Sequence, residues 1–179
     1  MTRAVRDGSP EEMQRLLHEL QTEAQEALDA LRDLARGIYP PLLVDSGVPA
    51  ALQAYAGKAS VPVALEAVEI GRYPQEVEAA VYFCCAEALQ NVAKYAMASN
   101  VVVRLVHEQG ELAFSVTDDG VGFDPSAASR GTGIQGMTDR VEALGGTLQV
   151  LATPGGGTTI RGRVPAAARE PAHAGPADS

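Results

Sequence analysis

From Met13 the apolar positions run Met13, Leu17, Leu20, Ala24, Ala27, Leu31, Leu34 and Ile38, a spacing of 4, 3, 4, 3, 4, 3, 4 that draws a heptad seam. Glu19, Glu23, Glu26, Asp29, Arg32 and Arg36 fall on the other faces. A helix patterned this way expects a second helix, from its own chain or a partner, to cover the seam; packing on its own domain is the alternative. Gly37 and then Tyr39-Pro40-Pro41 end the pattern, because two prolines in a row forbid its continuation. A short segment, "LLVDSG", leads into a second helical pattern over Val48 to Lys58.

The period then changes. Residues 61–70, "VPVALEAVEI", alternate as a strand does, and Gly71 to Pro74 reads as a turn. A long helix follows, with Val77, Val81, Cys84, Ala88 and Val92 as its apolar stripe. Two strands, 100–108 and 111–118, flank Gln109-Gly110, which is a hairpin signal. A Gly- and Ser-rich loop over 119–133 precedes a helix from Ile134 to Leu144 that ends at Gly145-Gly146. Strands over 147–153 and 158–165 close the pattern around Pro154-Gly155-Gly156-Gly157. This order predicts an α+β two-layer sandwich, a mixed five-stranded sheet packed on three helices, preceded by the long heptad helix. The expected divisions are a disordered lead-in over 1–10, the heptad helix over 11–41, the sandwich over 42–165 and a disordered tail over 166–179.

Composition narrows the classes. With 179 residues, 46% apolar and 21% charged, the chain suits one globular domain and an appendage. Aromatic residues are only 4% and Trp is absent, so Val, Leu and Ala must fill the core. Fourteen basic against 23 acidic residues leave a formal charge of −9, which argues against nucleic acid and against an anionic membrane surface as partners. Cys84 and Cys85 are neighbours on a helix, pointing about 100° apart, so they suit free buried thiols in a reducing cytoplasm better than a disulfide. No apolar run reaches the length of a membrane span and no signal peptide is visible.

The chemistry concentrates in three stretches. On a helix Glu87, Asn91 and Lys94 share an arc of roughly 60°. A carboxylate, an amide and an ammonium beside a core-facing stripe suit a metal-chelated phosphate in a cleft, although a solvated polar stripe has the same look. In "DDGVG", Asp118 ends a strand while Gly120 and Gly122 let the backbone turn and approach a ligand closely. A carboxylate there can accept a hydrogen bond from an exocyclic amine, which suits adenine. In "GTGIQGM", Gly131, Gly133 and Gly136 open a helix whose N–H groups and dipole attract phosphate. The long loop before that helix excludes the tight strand-to-helix turn of dinucleotide-binding folds and makes the segment a candidate lid.

Taken in order, these stretches resemble the ATP-binding domain of sensor histidine kinases, within the superfamily of gyrase, heat-shock chaperone and MutL ATPases (GHKL), over roughly residues 48–165. "EALQNVAKYA" looks like the family's N box, "DDGVGF" like its first glycine box, "GTGIQGM" like its second and "GGGT" at 155–158 like its last. The segment "ALDALRDLARGIYPPLL" followed by "GVPAALQAYA" resembles the subfamily whose dimerisation helices lead directly into a compact ATPase domain.

The resemblance implies ATP and Mg²⁺ as cofactors. By position, Asn91 would coordinate Mg²⁺, Glu87 would be the catalytic base or polarise the hydroxyl side of the reaction, and Lys94 would meet phosphate. Asp118 would recognise the adenine amino group with help from Thr158, through water. Gly120 and Gly122 would admit the base, and Gly131, Thr132, Gly133, Gly136 and Met137 would form the lid box. Two positions depart from the pattern: Tyr95, also in the nucleotide site, stands where the subfamily commonly has His, and Asp119 where Asn is frequent. The implied partners are a phosphoacceptor helix of the same kinase homodimer and a response regulator, in the cytoplasm.

These kinases phosphorylate a His on the first of two dimerisation helices. His18-Glu19 has that local look, but too few residues separate it from Gly37 for a turn and a second helix. The heptad helix is therefore expected to be the second dimerisation helix, with the phosphoacceptor elsewhere; His107 and His173 receive no role. Two other readings share the fold: an ATP-switched interaction module without phosphotransfer, and a serine kinase of the anti-sigma-factor type.

Overall fold

The computed structural model describes residues 39–124 and 132–166. The heptad seam, His18, Gly131 and the expected tail beyond 166 lie outside the described residues.

Helix α1 (Pro41–Ala56) starts at the paired prolines, where Pro at the first helical position gives up only an N–H that would be unpaired anyway. This is earlier than the Val48 start read from the pattern. Gly47, at φ 79° and ψ −176°, breaks the helix into two runs, and Pro49 sits in the first turn of the second. The run before Gly47 is too short to display a period, which is why only the second was legible. Arg72 secures this break. Its guanidinium donates to the Val44 carbonyl at 2.8 Å and to Glu78 at 2.8 and 3.2 Å, while Glu78, only 2% exposed, also accepts the Tyr73 N–H at 3.0 Å. The ion pair holds the Arg72 guanidinium above its ordinary pKa, chiefly through the hydrogen bond to Glu78.

Strand β1 (Val63–Val68) pairs in parallel with β2 (Val101–Glu108). Helix α2 (Gln75–Asn91) lies between them in the chain. The remaining strands, β3 (Glu111–Asp118), β4 (Thr147–Ala152) and β5 (Thr158–Pro165), add antiparallel neighbours to give the order β1-β2-β3-β5-β4. The mixed five-stranded sheet packed on three helices is the architecture that the pattern predicted, and the sheet is open. Gln109 and Gly110, at φ 55° and 77°, form the hairpin between β2 and β3, with both central residues in the left-handed region that matches strand twist.

One face of the sheet is dry. Val101, Val103 and Leu105 of β2, Leu112, Phe114 and Val116 of β3, and Ile160 and Val164 of β5 alternate toward the helices. Helix α2 covers them, burying its expected stripe and also Ala79, Ala80, Tyr82, Cys85 and Leu89, because α1 and α3 (Thr132–Glu142) pack on its flanks. Cys84 and Cys85 are both buried thiols outside any disulfide, and desolvation pushes the Cys85 thiol well up. Gly162 lies flat under the Phe114 ring, where a Cβ would collide with the ring carbons. Exposed ion pairs such as Arg104 to Glu66 at 2.6 Å occupy the other face and contribute little to stability. No helix among the described residues is long and apolar enough to cross a membrane.

Candidate functional site

The last turns of α2 carry Glu87 and Asn91, both half-buried. Directly after Asn91 the backbone widens into a π-helical turn, Val92–Ala96, which ends at Met97 in the left-handed region at φ 49°. Such turns recur at functional sites. This alters the row seen in the sequence. A wider turn advances the chain by roughly 80° per residue instead of 100°, so Lys94 swings away from the face shared by Glu87 and Asn91. Lys94 is exposed, and Tyr95 beside it is 68% exposed.

The turn meets the loop that follows β3. The Ala96 carbonyl, left without a helical partner, accepts the Val121 N–H at 2.8 Å. Gly120 sits against the same residue: a Cβ on it would overlap the Ala96 carbonyl and come within 2.8 Å of Asp118 Oδ1. Asp118 is buried, with 7% exposure, and its Oδ1 accepts the Gly120 N–H at 2.9 Å. That is the one hydrogen bond its carboxylate makes among the described residues, which leaves Oδ2 as an acceptor. Asp118 and Thr158 are register partners across β3 and β5, so their side chains stand side by side on the inner face, Thr158 half-buried.

The loop closes onto the β4–β5 turn through backbone alone. Gly155 N–H donates to the Val121 carbonyl at 2.6 Å. Gly122, at φ 57°, has no room for a Cβ against the Thr153 carbonyl, nor has Gly157, at φ 73°, against the Asp118 carbonyl. Two glycine-containing stretches far apart in sequence are therefore interlocked, and no side chain fits between them.

The second glycine stretch behaves differently. Gly133, in the first turn of α3, faces the end of Glu87: its Cβ position is 2.6 Å from Glu87 Oε1. Thr132 is exposed at the helix start. Gly136 has nothing within 4 Å of a Cβ, so packing does not demand glycine there. Met137, expected among the lid residues, is a core residue instead. It is fully buried, and its carbonyl accepts from Cys84 Sγ at 3.8 Å. Placement on the apolar stripe of an amphipathic helix turns this side chain inward.

Asp119, whose role was open in the sequence, is exposed and fully engaged. Its Oδ1 accepts the N–H groups of Ser99 and Asn100 at 2.7 and 2.9 Å, and its Oδ2 accepts the Asn100 side-chain amide at 3.0 Å. These bonds, the Asn100 amide first, hold the carboxyl below its ordinary pKa. Nothing in a single sequence signals this, because the partners lie across a strand pair.

The arrangement has relatives. Residues 76–168 match the family described as histidine kinase-, DNA gyrase B- and HSP90-like ATPase. The signal transduction histidine-protein kinase/phosphatase DegS of Brevibacillus brevis is 37% identical over 100 residues, 55% of this chain and 26% of DegS. The corresponding UhpB of Salmonella typhimurium is 41% identical over 71 residues, 40% of this chain and 14% of UhpB. The chain thus spans about a quarter or less of the length of these relatives. Among solved structures, a blue-light-activated histidine kinase of Erythrobacter litoralis superposes with a TM-score of 0.58 at 24% identity, covering 66% of this chain and 41% of that one. Full-length ShkA in complex with AMPPNP superposes with a TM-score of 0.58 at 18% identity over 91% of this chain and 40% of that one, a likeness of fold.

Proposed function

The chain belongs to the histidine kinase-, DNA gyrase B- and HSP90-like ATPase family, and on that footing we propose that residues 42–165 are the MgATP-binding catalytic domain of a two-component sensor histidine kinase. The observation that carries the reading is the environment of Asp118: a buried carboxylate with one oxygen tied to Gly120 N–H, ringed by glycines that leave no side chain in the way.

With Oδ1 occupied, Oδ2 accepts a hydrogen bond from the 6-amino group of adenine, and Thr158 beside it orders a bridging water. Guanine presents a carbonyl oxygen at that place, which a carboxylate repels, so the site selects ATP over GTP. Asn91 offers an amide oxygen to Mg²⁺. Among the described residues no three His, Cys, Asp or Glu side chains form a metal cage, which fits an ion held by one or two side chains and the phosphates it arrives with. When bound, the ion supplies positive charge to the phosphates. Glu87, half-buried and set against the start of α3, would accept a proton from the phosphoacceptor. The N–H groups at the start of α3 would face the phosphates, and Lys94 and Tyr95, exposed on the π-helical turn, would meet the nucleotide from outside the face shared by Glu87 and Asn91.

In the whole protein the heptad segment over 11–41 would serve as a dimerisation helix of a cytoplasmic homodimer, a His on a dimerisation helix would take the γ-phosphate, and a response regulator would receive it next. The test is calorimetric titration with ATP and Mg²⁺, followed by incubation with a separately made phosphoacceptor helix. Binding of ATP in preference to GTP and acid-labile phosphate on His are expected. Acid-stable phosphate on Ser would make the protein a serine kinase, binding without transfer would make it an ATP-switched module, and absence of binding would overturn the reading.

A further inference from the structure

Two neighbouring carboxylates leave β3 in opposite service. Asp118 is buried and keeps one oxygen available, whereas Asp119 points outward and spends both oxygens on the segment 99–100. That segment is the continuation of the π-helical turn, and the turn's last residue, Ala96, is the surface on which Gly120 lies. The Asp119 N–H completes the clasp by donating to the Asn100 carbonyl at 3.3 Å. The position of Ala96 relative to Asp118 is thus held from both ends: by Val121 N–H on the ligand side and by Asp119 on the outer side.

We propose that Asp119 is a positioning residue for the nucleotide site, acting through Ser99 and Asn100 to hold the π-helical turn, and with it Asn91 and Tyr95, at the distance from Asp118 that a nucleotide requires. Asp119 does not touch the ligand itself, because its four close contacts to the 99–100 segment use its carboxylate and its own N–H. The carboxylate is the right group for this duty. Oδ1 takes two N–H donors on one side, and Oδ2 takes the Asn100 amide, so an Asn at 119 would keep these bonds only by turning the Asn100 amide over and would lose the negative charge that strengthens all three. The proposal rests on the nucleotide reading above.

The test uses the full chain and ATP with Mg²⁺ in a calorimeter, with far-UV circular dichroism and melting as the check on folding. Asp119→Asn is expected to weaken ATP binding by roughly tenfold, the scale of a lost hydrogen bond to a charged group, with little change in melting temperature. The double variant Asn100→Asp/Asp119→Asn puts a charged acceptor back opposite a donor and is expected to regain most of the lost affinity. A merely structural role would move melting and affinity together and would not be rescued at constant stability. Wild-type affinity in Asp119→Asn, or no recovery in the double variant, would overturn this inference while the wild type still binds. A wild type that does not bind ATP would instead bring down the nucleotide reading, and the inference with it.

Discussion

Glu87 Oε1 lies 2.6 Å from where a Cβ on Gly133 would be, so the carboxylate at the end of α2 occupies the side-chain space of the residue that opens α3. Two of the stretches singled out for chemistry therefore meet in one contact, and the glycine leaves the glutamate its room. Helix α3 cannot take a larger residue there without moving the proposed base.

Gly133→Ala separates stability from activity. Alanine is favoured over glycine inside a helix by about 1 kcal/mol, and the end of a glutamate can shift, so melting should hold or rise slightly. Phosphotransfer to a supplied acceptor helix should fall by at least about tenfold because the base is displaced. Equal transfer rates for the variant and wild type would remove Glu87 from the mechanism.

The proposed adenine contact predicts a change of preference. Asp118→Asn keeps an acceptor for Gly120 N–H but turns Oδ2 into a donor, which opposes the amino group of adenine and suits the carbonyl of guanine. ATP affinity should fall by more than about tenfold and the margin over GTP should narrow, as read by competition binding. For the metal, chelation of Mg²⁺ should weaken ATP binding to wild type, while Asn91→Ala should already be weak and respond little to the chelator.

Gly162→Ala serves as a control remote from the site. A Cβ there strikes the Phe114 ring, itself only 3% exposed, and overpacking of this kind costs about 1–3 kcal/mol. Denaturant midpoints should drop accordingly, while the folded fraction binds ATP as wild type does.

Arg72→Met tests the clasp at the Gly47 break. It strands the Glu78 carboxylate in the core with the Tyr73 N–H as its remaining partner. A loss of about 1–2 kcal/mol is expected, below the range for a fully buried pair because the Arg72 side chain is 45% exposed. Urea denaturation of the two proteins measures it.

Acid should erase what Asp119 adds. Its carboxyl is held below its ordinary value in the folded chain, so its contribution is complete above the unfolded-state value of about 3.9 and disappears as pH falls through the lower folded value. The ratio of wild-type to Asp119→Asn affinity for ATP should be constant from neutral pH to about pH 5 and shrink below about pH 4. A ratio that stays constant into strong acid would show that the carboxylate is not the group responsible.

Local pattern carried most of the architecture. Alternation in 111–118 and 158–165 was enough to place β3 and β5 at their observed bounds, since the period of a half-buried strand is fully expressed in eight residues. The stripe through Val77, Val81, Cys84, Ala88 and Val92 likewise identified the face of α2 that meets the sheet. Glycines at 120, 122 and 133 were legible as places where backbone must come close, though not what they approach.

What needed the tertiary structure was every relation between distant residues. Periodicity assumes one helix geometry, so it could not foresee the π-helical turn that moves Lys94 off the face of Glu87 and Asn91. Nor could it see that Met137 turns into the core, because burial depends on which neighbour covers a helix and not on its own spacing. The Asp118-Asp119 pair shows the division most clearly. The sequence by itself determined that two carboxylates end a strand before a glycine turn. Only the packing of that turn against Ala96, Ser99 and Asn100 decided that one keeps an oxygen unengaged among the described residues and the other is tied to the 99–100 segment, because a carboxylate's engagement is set by the donors that reach it.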